Sequence, residues 1–368
     1  MDVPFLDLKQ QYHSIKNEID QAIAGVLDGC NFIMGQPVKE LEERIAQYSG
    51  VKHGAAVASG TDALYLSLKA CGIGPGDEVI TSSYSFFASA GTIWNVGAKP
   101  VFVDIDPDTF NLDVSRVKEK ITGKTKALMP VHLFGQCADM EPLLELAKEY
   151  GFAIIEDAAQ AIGATYKGEK AGSIGTVGCF SFYPSKNLGA YGDGGMVVTD
   201  DASIAEKIRL LRVHGAKPKY VHRIIGINSR LDTLQAAVLL VKFRHLDNWS
   251  EKRRQNAAVY DGLFKNTEIT IPKLAPGNVS IYNQYVVRVP RREIVREFLK
   301  KRGIGTDVYY PLPLPLQECF GELGYVKGQL PHAEKASLES MAIPIYPELT
   351  LEQQKYVVSS IVEALKEA

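Results

Sequence analysis

Between residues 50 and 200, short apolar runs alternate with segments whose apolar residues recur every three or four positions. The runs 53–59, 78–82, 100–104, 127–131 and 153–156 read as strands, and 62–70, 86–95, 114–121 and 140–150 as helices. Strands that alternate with helices build a mostly parallel sheet covered on both faces, the α/β arrangement. Two further runs, 178–183 and 195–199, have no helix between them, so at least one is expected to run antiparallel.

A helical pattern then runs from 232 to about 264, with Leu234, Ala237, Val238, Leu240, Val241, Leu246 and Tyr260 spaced among charged residues. One unbroken helix of that length would extend about 50 Å, enough to leave one domain and enter another. Beyond it Pro and Gly become more frequent. There 284–289 reads as a strand, and 293–302 and 351–366 as helices. The expected division is a large unit over 1–265 and a smaller C-terminal α/β domain over 266–368. The N-terminal helical segments 14–27 and 38–48 are expected to pack across the smaller unit or across a partner subunit.

Composition narrows the function classes. The 368 residues carry 41 Lys and Arg against 43 Asp and Glu, a net charge of −2 without a long single-sign run. That balance argues against a nucleic-acid footprint or a charged tail. Five scattered cysteines, an odd number with no CxxC pair, exclude a disulfide framework and point to a reducing cytoplasm. No secretory leader and no apolar stretch of membrane-spanning length, about 18 residues, is visible. No metal site is expected.

Three motifs carry candidate chemistry. Ser59-Gly60-Thr61-Asp62 follows a strand and opens a helix, where free N–H groups and the helix dipole favour a phosphate; the simpler reading is a capped helix. Asp157 closes the apolar run Phe152-Ala-Ile-Ile-Glu-Asp, at the strand end where open α/β sheets bind ligands. An acid there can hold a pyridine nitrogen protonated, or it can be a solvated terminus beside Glu156. Gln160, one turn on, reaches toward the same ligand, with a phenolic oxygen as one partner. Lys186 lies in Ser181-Phe-Tyr-Pro-Ser-Lys-Asn-Leu-Gly189, framed by Pro184 and the glycines 189, 192, 194 and 195. A lysine so confined can lose its proton and act as a Schiff-base amine, with the Ser181 hydroxyl placed for a phosphate.

Taken in order, Ser-Gly-Thr-Asp-Ala-Leu (59–64), Glu-Asp-Ala-Ala-Gln (156–160), Ser-Phe-Tyr-Pro-Ser-Lys-Asn-Leu-Gly (181–189), Gly-Asp-Gly-Gly (192–195) and Gly-Ile-Asn-Ser-Arg-Leu-Asp-Thr-Leu-Gln-Ala-Ala (226–237) resemble the DegT/DnrJ/EryC1/StrS nucleotide-sugar aminotransferases. The resemblance covers nearly the whole chain. It implies the aspartate-aminotransferase fold (fold type I) and pyridoxal 5′-phosphate as cofactor. It also implies Lys186 as the lysine that carries the cofactor and Asp157 as partner of its ring nitrogen. Ser181, Gly60 and Thr61 become the phosphate cup, and Phe86 the ring that stacks on the cofactor. Asn228 is implied to reach the phosphate from the other subunit of a homodimer, so that active sites are shared. Arg230, Tyr309 and Tyr310 are implied to face the substrate. Phe86 as helix core and Arg230 as a salt-bridge partner remain the plain alternatives.

The implied reaction moves an amino group from an amino acid, L-glutamate by expectation, to the keto group of a nucleotide-linked sugar, with Lys186 shuttling the proton. Lysine at this position favours transamination over the related sugar dehydration, in which histidine replaces it. Asn-Ser-Arg-Leu-Asp-Thr-Leu-Gln-Ala-Ala is closer to the 3-keto-sugar branch than to the 4-keto branch, which remains the alternative; a non-catalytic regulatory protein is a second. Gly135-Gln-Cys-Ala-Asp139 is similar to UDP-sugar acid enzymes and Leu246-Asp-Asn-Trp249 to dTDP-deoxysugar enzymes, so the nucleotide stays open. Where many relatives have His-Tyr-Pro, this chain has Tyr309-Tyr310-Pro311.

Overall fold

The computed structural model of the chain describes residues 1–367. Helices α1 (Leu8–Gly29) and α2 (Gln36–Ser49) lead into β1 (His53–Val57), α3 (Gly60–Ala70), β2 (Glu78–Ser82), α4 (Ala88–Asn95), β3 (Lys99–Val103) and β4 (Thr125–Met129). Then follow α5 (Met140–Tyr150), β5 (Ala153–Asp157), the short hairpin β6 (Thr165–Tyr166) and β7 (Glu169–Lys170), β8 (Val177–Ser181), β9 (Gly195–Thr199) and α6 (Ala202–Leu211). Seven strands form one sheet in the order β1-β9-β8-β5-β4-β2-β3. Pairing is parallel from β3 through β8, and β9 lies antiparallel between β8 and β1. The expectation of one reversed strand holds, because β8 returns to the sheet through a loop and not a crossover helix.

One sheet face is covered by α3, α4 and α6, and the other by α2, α5 and α7 (Thr233–Phe243). The strands are therefore apolar on both sides, as buried parallel strands must be. Helix α2 packs on β1 and α7, and α1 packs on α7, so both belong to the large sheet. The expectation that they cross the smaller unit is corrected. Val38, Leu41 and Ile45 form an apolar stripe on α2 that the sheet face and α7 already satisfy.

The single helix expected over 232–264 is instead two, α7 and α8 (Leu246–Phe264), with a break at Arg244 and His245. No Pro or Gly marks the break. It comes from tertiary packing: Leu246 belongs to the large-sheet core, whereas Ala257, Tyr260 and Phe264 enter a separate core. That second core contains β11 (Tyr285–Arg288), which follows the short β10 (Asn278–Val279), together with α9 (Arg292–Lys301), β12 (Ser340–Ile343) after α10 (Pro331–Glu339), and α11 (Leu351–Glu367). β11 and β12 pair antiparallel as a two-stranded sheet. The helix expected over 114–121 is replaced by two single turns of tight helix, 114–116 and 118–120. There the Asp113 carboxylate takes the backbone N–H and hydroxyl of Ser115 and competes with a regular helix.

Candidate active site

A cavity of about 580 Å³ opens at the carboxyl ends of β5 and β8, where the open sheet leaves room for a ligand. Asp157, Gln160, Ser181, Lys186, Gly60, Thr61, Phe86, Tyr309 and Tyr310 all line it. Nine residues separated by up to 250 positions thus converge. Asn228 and Arg230 do not: Asn228 is exposed, and neither faces this cavity.

Strand β5 points its last two acids to opposite sides, as the pleat demands. Glu156 turns away from the cavity and accepts the N–H groups of Gly172, Ile174 and Gly175 at 2.6–2.8 Å. His132 completes it: Nδ1 accepts from the Ala138 N–H at 3.1 Å, so Nε2–H donates to Glu156 Oε2 at 2.8 Å. Glu156 is a structural acid that fastens the strand end. Asp157 faces the cavity, buried, with Oδ2 accepting from the Ser89 hydroxyl at 2.7 Å and Oδ1 from the Ala159 N–H at 3.2 Å. Ser85 pairs with Ser89 at 2.9 Å, which makes a short hydroxyl chain from the cavity-lining Ser85 to Asp157. Burial raises the Asp157 carboxyl above its ordinary value, against the lowering effects of Ser89, Ala159, Lys186 and His132.

Lys186 sits at the turn of the β8–β9 loop, its N–H donating to the Tyr183 carbonyl at 2.9 Å. Its amine pKa is pushed down to about 8 by burial, which outweighs the attraction of Asp157. Part of the side chain still borders the open cavity, while protein surrounds it on the other sides. A lysine at that value keeps a usable fraction of neutral amine near neutral pH, the form that attacks a carbonyl.

The same cavity is bordered by the N-terminus of α3 and by Ser181. Helix α3 begins at Gly60 with Ser59 as its cap, the Ser59 hydroxyl accepting the Asp62 N–H at 3.0 Å. The capping reading of this motif is therefore correct for Ser59, and it leaves Gly60 and the exposed Thr61 free to face the cavity. Gly60 has a steric reason to be glycine: a Cβ there would lie 2.6 Å from the Ser181 Cβ. The helix N-terminus and the Ser181 hydroxyl thus close on one another across a gap that only a bare backbone permits.

Phe86 precedes α4, is exposed, and borders the cavity 6.4 Å from the Tyr310 ring, so it is not helix core. Gln160 is held at both ends, its Oε1 accepting the Phe134 N–H at 2.7 Å and its Nε2 donating to Tyr310 Oη at 3.1 Å. Sequence reasoning missed Ser85, Tyr183, Asp193 and Gln284 at this cavity, and Ser89 behind Asp157. It also missed Tyr84, whose hydroxyl donates to the Tyr309 carbonyl (2.7 Å) and accepts the Tyr310 N–H (2.6 Å). The serines lie four apart just before and inside α4, a spacing that signals one face but no ligand.

The sequence model of the DegT/DnrJ/EryC1/StrS aminotransferase family matches residues 13–362. A "pleiotropic regulatory protein" of Geobacillus stearothermophilus is 54% identical over 99% of this chain and 98% of its own. A UDP-2-acetamido-2-deoxy-3-oxo-D-glucuronate aminotransferase of Pseudomonas aeruginosa is 44% identical over 98% of this chain and 99% of its own. Among solved structures, DesV of S. venezuelae in complex with a ketimine intermediate superposes with a TM-score of 0.96, at 43% identity and 98% coverage of both chains. NtdA of Bacillus subtilis with bound cofactor PMP gives 0.92 at 32% identity, covering 99% of this chain and 85% of that one. The fold shared with these structures is the aspartate-aminotransferase arrangement expected from the sequence. The chain belongs to the DegT/DnrJ/EryC1/StrS aminotransferase family and is an aminotransferase.

Proposed function

We propose that this enzyme binds pyridoxal 5′-phosphate and transfers an amino group, with L-glutamate as donor, to the C3 keto group of a nucleotide-linked sugar. The observation that carries the reading is the convergence of Lys186, Asp157 and the Gly60–Ser181 seat on one cavity. These residues fit that cofactor: a buried carboxylate for the ring nitrogen, an amine of lowered pKa for the aldehyde, and a helix N-terminus for the phosphate. When bound, the cofactor supplies an electron sink for the carbon that loses or gains the proton.

The chain's own groups do the rest. Asp157, whose anionic form is favoured by the Ser89 hydroxyl and the Ala159 N–H against the effect of burial, would pair with the ring nitrogen. The α3 N-terminus, Thr61 and Ser181 would hold the phosphate. Phe86, which borders the cavity, would pack against the cofactor ring, and Gln160 keeps an N–H beyond the one it gives Tyr310. The Lys186 amine, near neutral pH, takes and returns the proton. The C3 assignment draws on the printed activity of the Pseudomonas relative and on the Asn228–Ala237 motif.

Asn228 and Arg230 are read as serving the cavity of a second copy. The exposure of Asn228 fits this, as do the exposed apolar Phe32, Ile33, Met34 and Ile225 nearby in sequence or contact. We read residues 1–265 as the large domain and 266–368 as the small one, with α8 carrying side chains into both cores. No helix of the described residues is long and apolar enough to cross a membrane, and the reading places the enzyme in the cytoplasm.

The test is a panel of UDP- and dTDP-linked 3-keto and 4-keto sugars offered with L-glutamate, the new amino group being placed by NMR. Amine at C3 supports the assignment, and amine at C4 replaces it with the 4-keto alternative. The regulatory name of the Geobacillus relative favours one other outcome: cofactor-loaded protein whose amine form no keto sugar discharges.

A further inference from the structure

The loop that carries Lys186 leaves β8 and returns to β9. At its base Phe182 receives the Ala190 N–H at 2.7 Å and donates to the Gly194 carbonyl at 2.8 Å. The outgoing limb is tied down just after Lys186, where the Asn187 amide donates to the Ile281 carbonyl and accepts from Asn283, both at 3.0 Å. The returning limb is held from below by α7. Gln235 accepts the Tyr191 N–H at 2.8 Å and donates to the Tyr191 carbonyl at 3.3 Å. Seven residues on, on the same helix face, Lys242 is 1% exposed and donates to the Gly189 carbonyl at 2.6 Å, with its amine 4.8 Å from the centre of the Tyr191 ring.

Lys242 is an odd group to bury. No carboxylate pairs with it among the described residues, and burial pushes its pKa down to about 8. Taking an amine out of water without a counter-ion costs stability, so an apolar side chain of similar length would be the better choice for folding alone. Its single strong bond lands on Gly189, whose bare α-carbon packs against the Pro184 carbonyl, two residues before Lys186. The contact therefore reaches the Lys186 turn through one residue.

We infer that Lys242 is a positioning residue for Lys186: its amine, on α7, anchors the Gly189 carbonyl and fixes the loop that presents Lys186 to the cavity. Gln235 is the second anchor of the same strut. The inference rests on the role proposed above for Lys186, but its structural half can be read without any cofactor.

The test is Lys242→Met, with Gln235→Leu as a second variant and Lys242→Arg as the one that keeps a donor and a charge. In the apoprotein, hydrogen exchange of the 187–194 amides should speed up in Lys242→Met and Gln235→Leu while the sheet strands stay protected, and the melting temperature of Lys242→Met should hold or rise. With cofactor and substrates, kcat should fall about 10- to 100-fold, the effect of misplacing a reacting group by about 1 Å, with KM changed little. Lys242→Arg should recover part of it. Wild-type exchange at 187–194 in both Met and Leu variants would overturn the inference. So would a Lys242→Met enzyme whose kcat matches wild type. If the wild type aminates no sugar, the exchange result still decides the anchor, so the two failures are separable.

Discussion

The Ser89 hydroxyl donates to Asp157 Oδ2 at 2.7 Å inside a site where burial alone would favour the neutral acid. That bond, together with the Ala159 N–H and the charge of Lys186, opposes the upward push of burial on the Asp157 carboxyl. Ser89→Ala should raise the Asp157 carboxyl further, loosen cofactor retention and lower kcat about tenfold or more, the usual effect of losing a hydrogen bond to a buried charge. Ser89→Thr should restore most of it. Carbon-13 NMR of the Asp157 carboxyl in the apoprotein reads the shift directly, and an unchanged titration in Ser89→Ala would refute it.

Lys186 predicts a pH-dependent cost of function. Its folded pKa of about 8 lies below the ordinary 10.5, so between those values the unfolded chain binds more protons and stability rises with pH. At pH 7, below both values, the apoprotein carries nearly the full penalty, on the order of 3 kcal/mol. Lys186→Met should therefore be the more stable apoprotein at pH 7, and the advantage should shrink toward pH 10. Urea melts at the two pH values check this; a difference independent of pH contradicts it.

Gly60→Ala should fold, since the position opens a helix, yet its Cβ would meet Ser181 at 2.6 Å and spread the anion seat. Cofactor affinity should drop about 10- to 100-fold, the weight of one or two charge-assisted hydrogen bonds. Equilibrium dialysis measures it. An affinity equal to wild type would remove Gly60 from the phosphate seat.

How much of this was legible beforehand differs by residue. Asp157 and Lys186 could be read because short local motifs place them: an apolar strand that ends in acid, and a lysine among glycines and a proline. Ser89, Tyr84 and Lys242 could not, because each acts through a partner 53 to 256 positions away and looks locally like helix or strand filler. The break between α7 and α8 was hidden for a related reason. Periodicity records which side of a helix is apolar, and it is blind to a change in which core that side enters. Asn228 and Arg230 were marked by resemblance alone, and neither borders the cavity of its own chain, which is why they are read as serving a second copy.

That last point has its own test. If sites are shared, mixing Lys186→Ala with Asn228→Ala subunits should regenerate intact sites. Neither variant alone should be active, and random pairing should return about a quarter of the wild-type sites. Activity of the mixture no greater than the sum of the two variants would assign each cavity to one chain.

The most direct measurement is to load the purified protein with pyridoxal 5′-phosphate, reduce it with borohydride and locate the modified lysine by peptide mass spectrometry. The account predicts one pyridoxyl-lysine, Lys186, in wild type and no turnover in Lys186→Ala. Label on another lysine, or an unlabelled protein whose Lys186→Ala variant still aminates keto sugars, would contradict it.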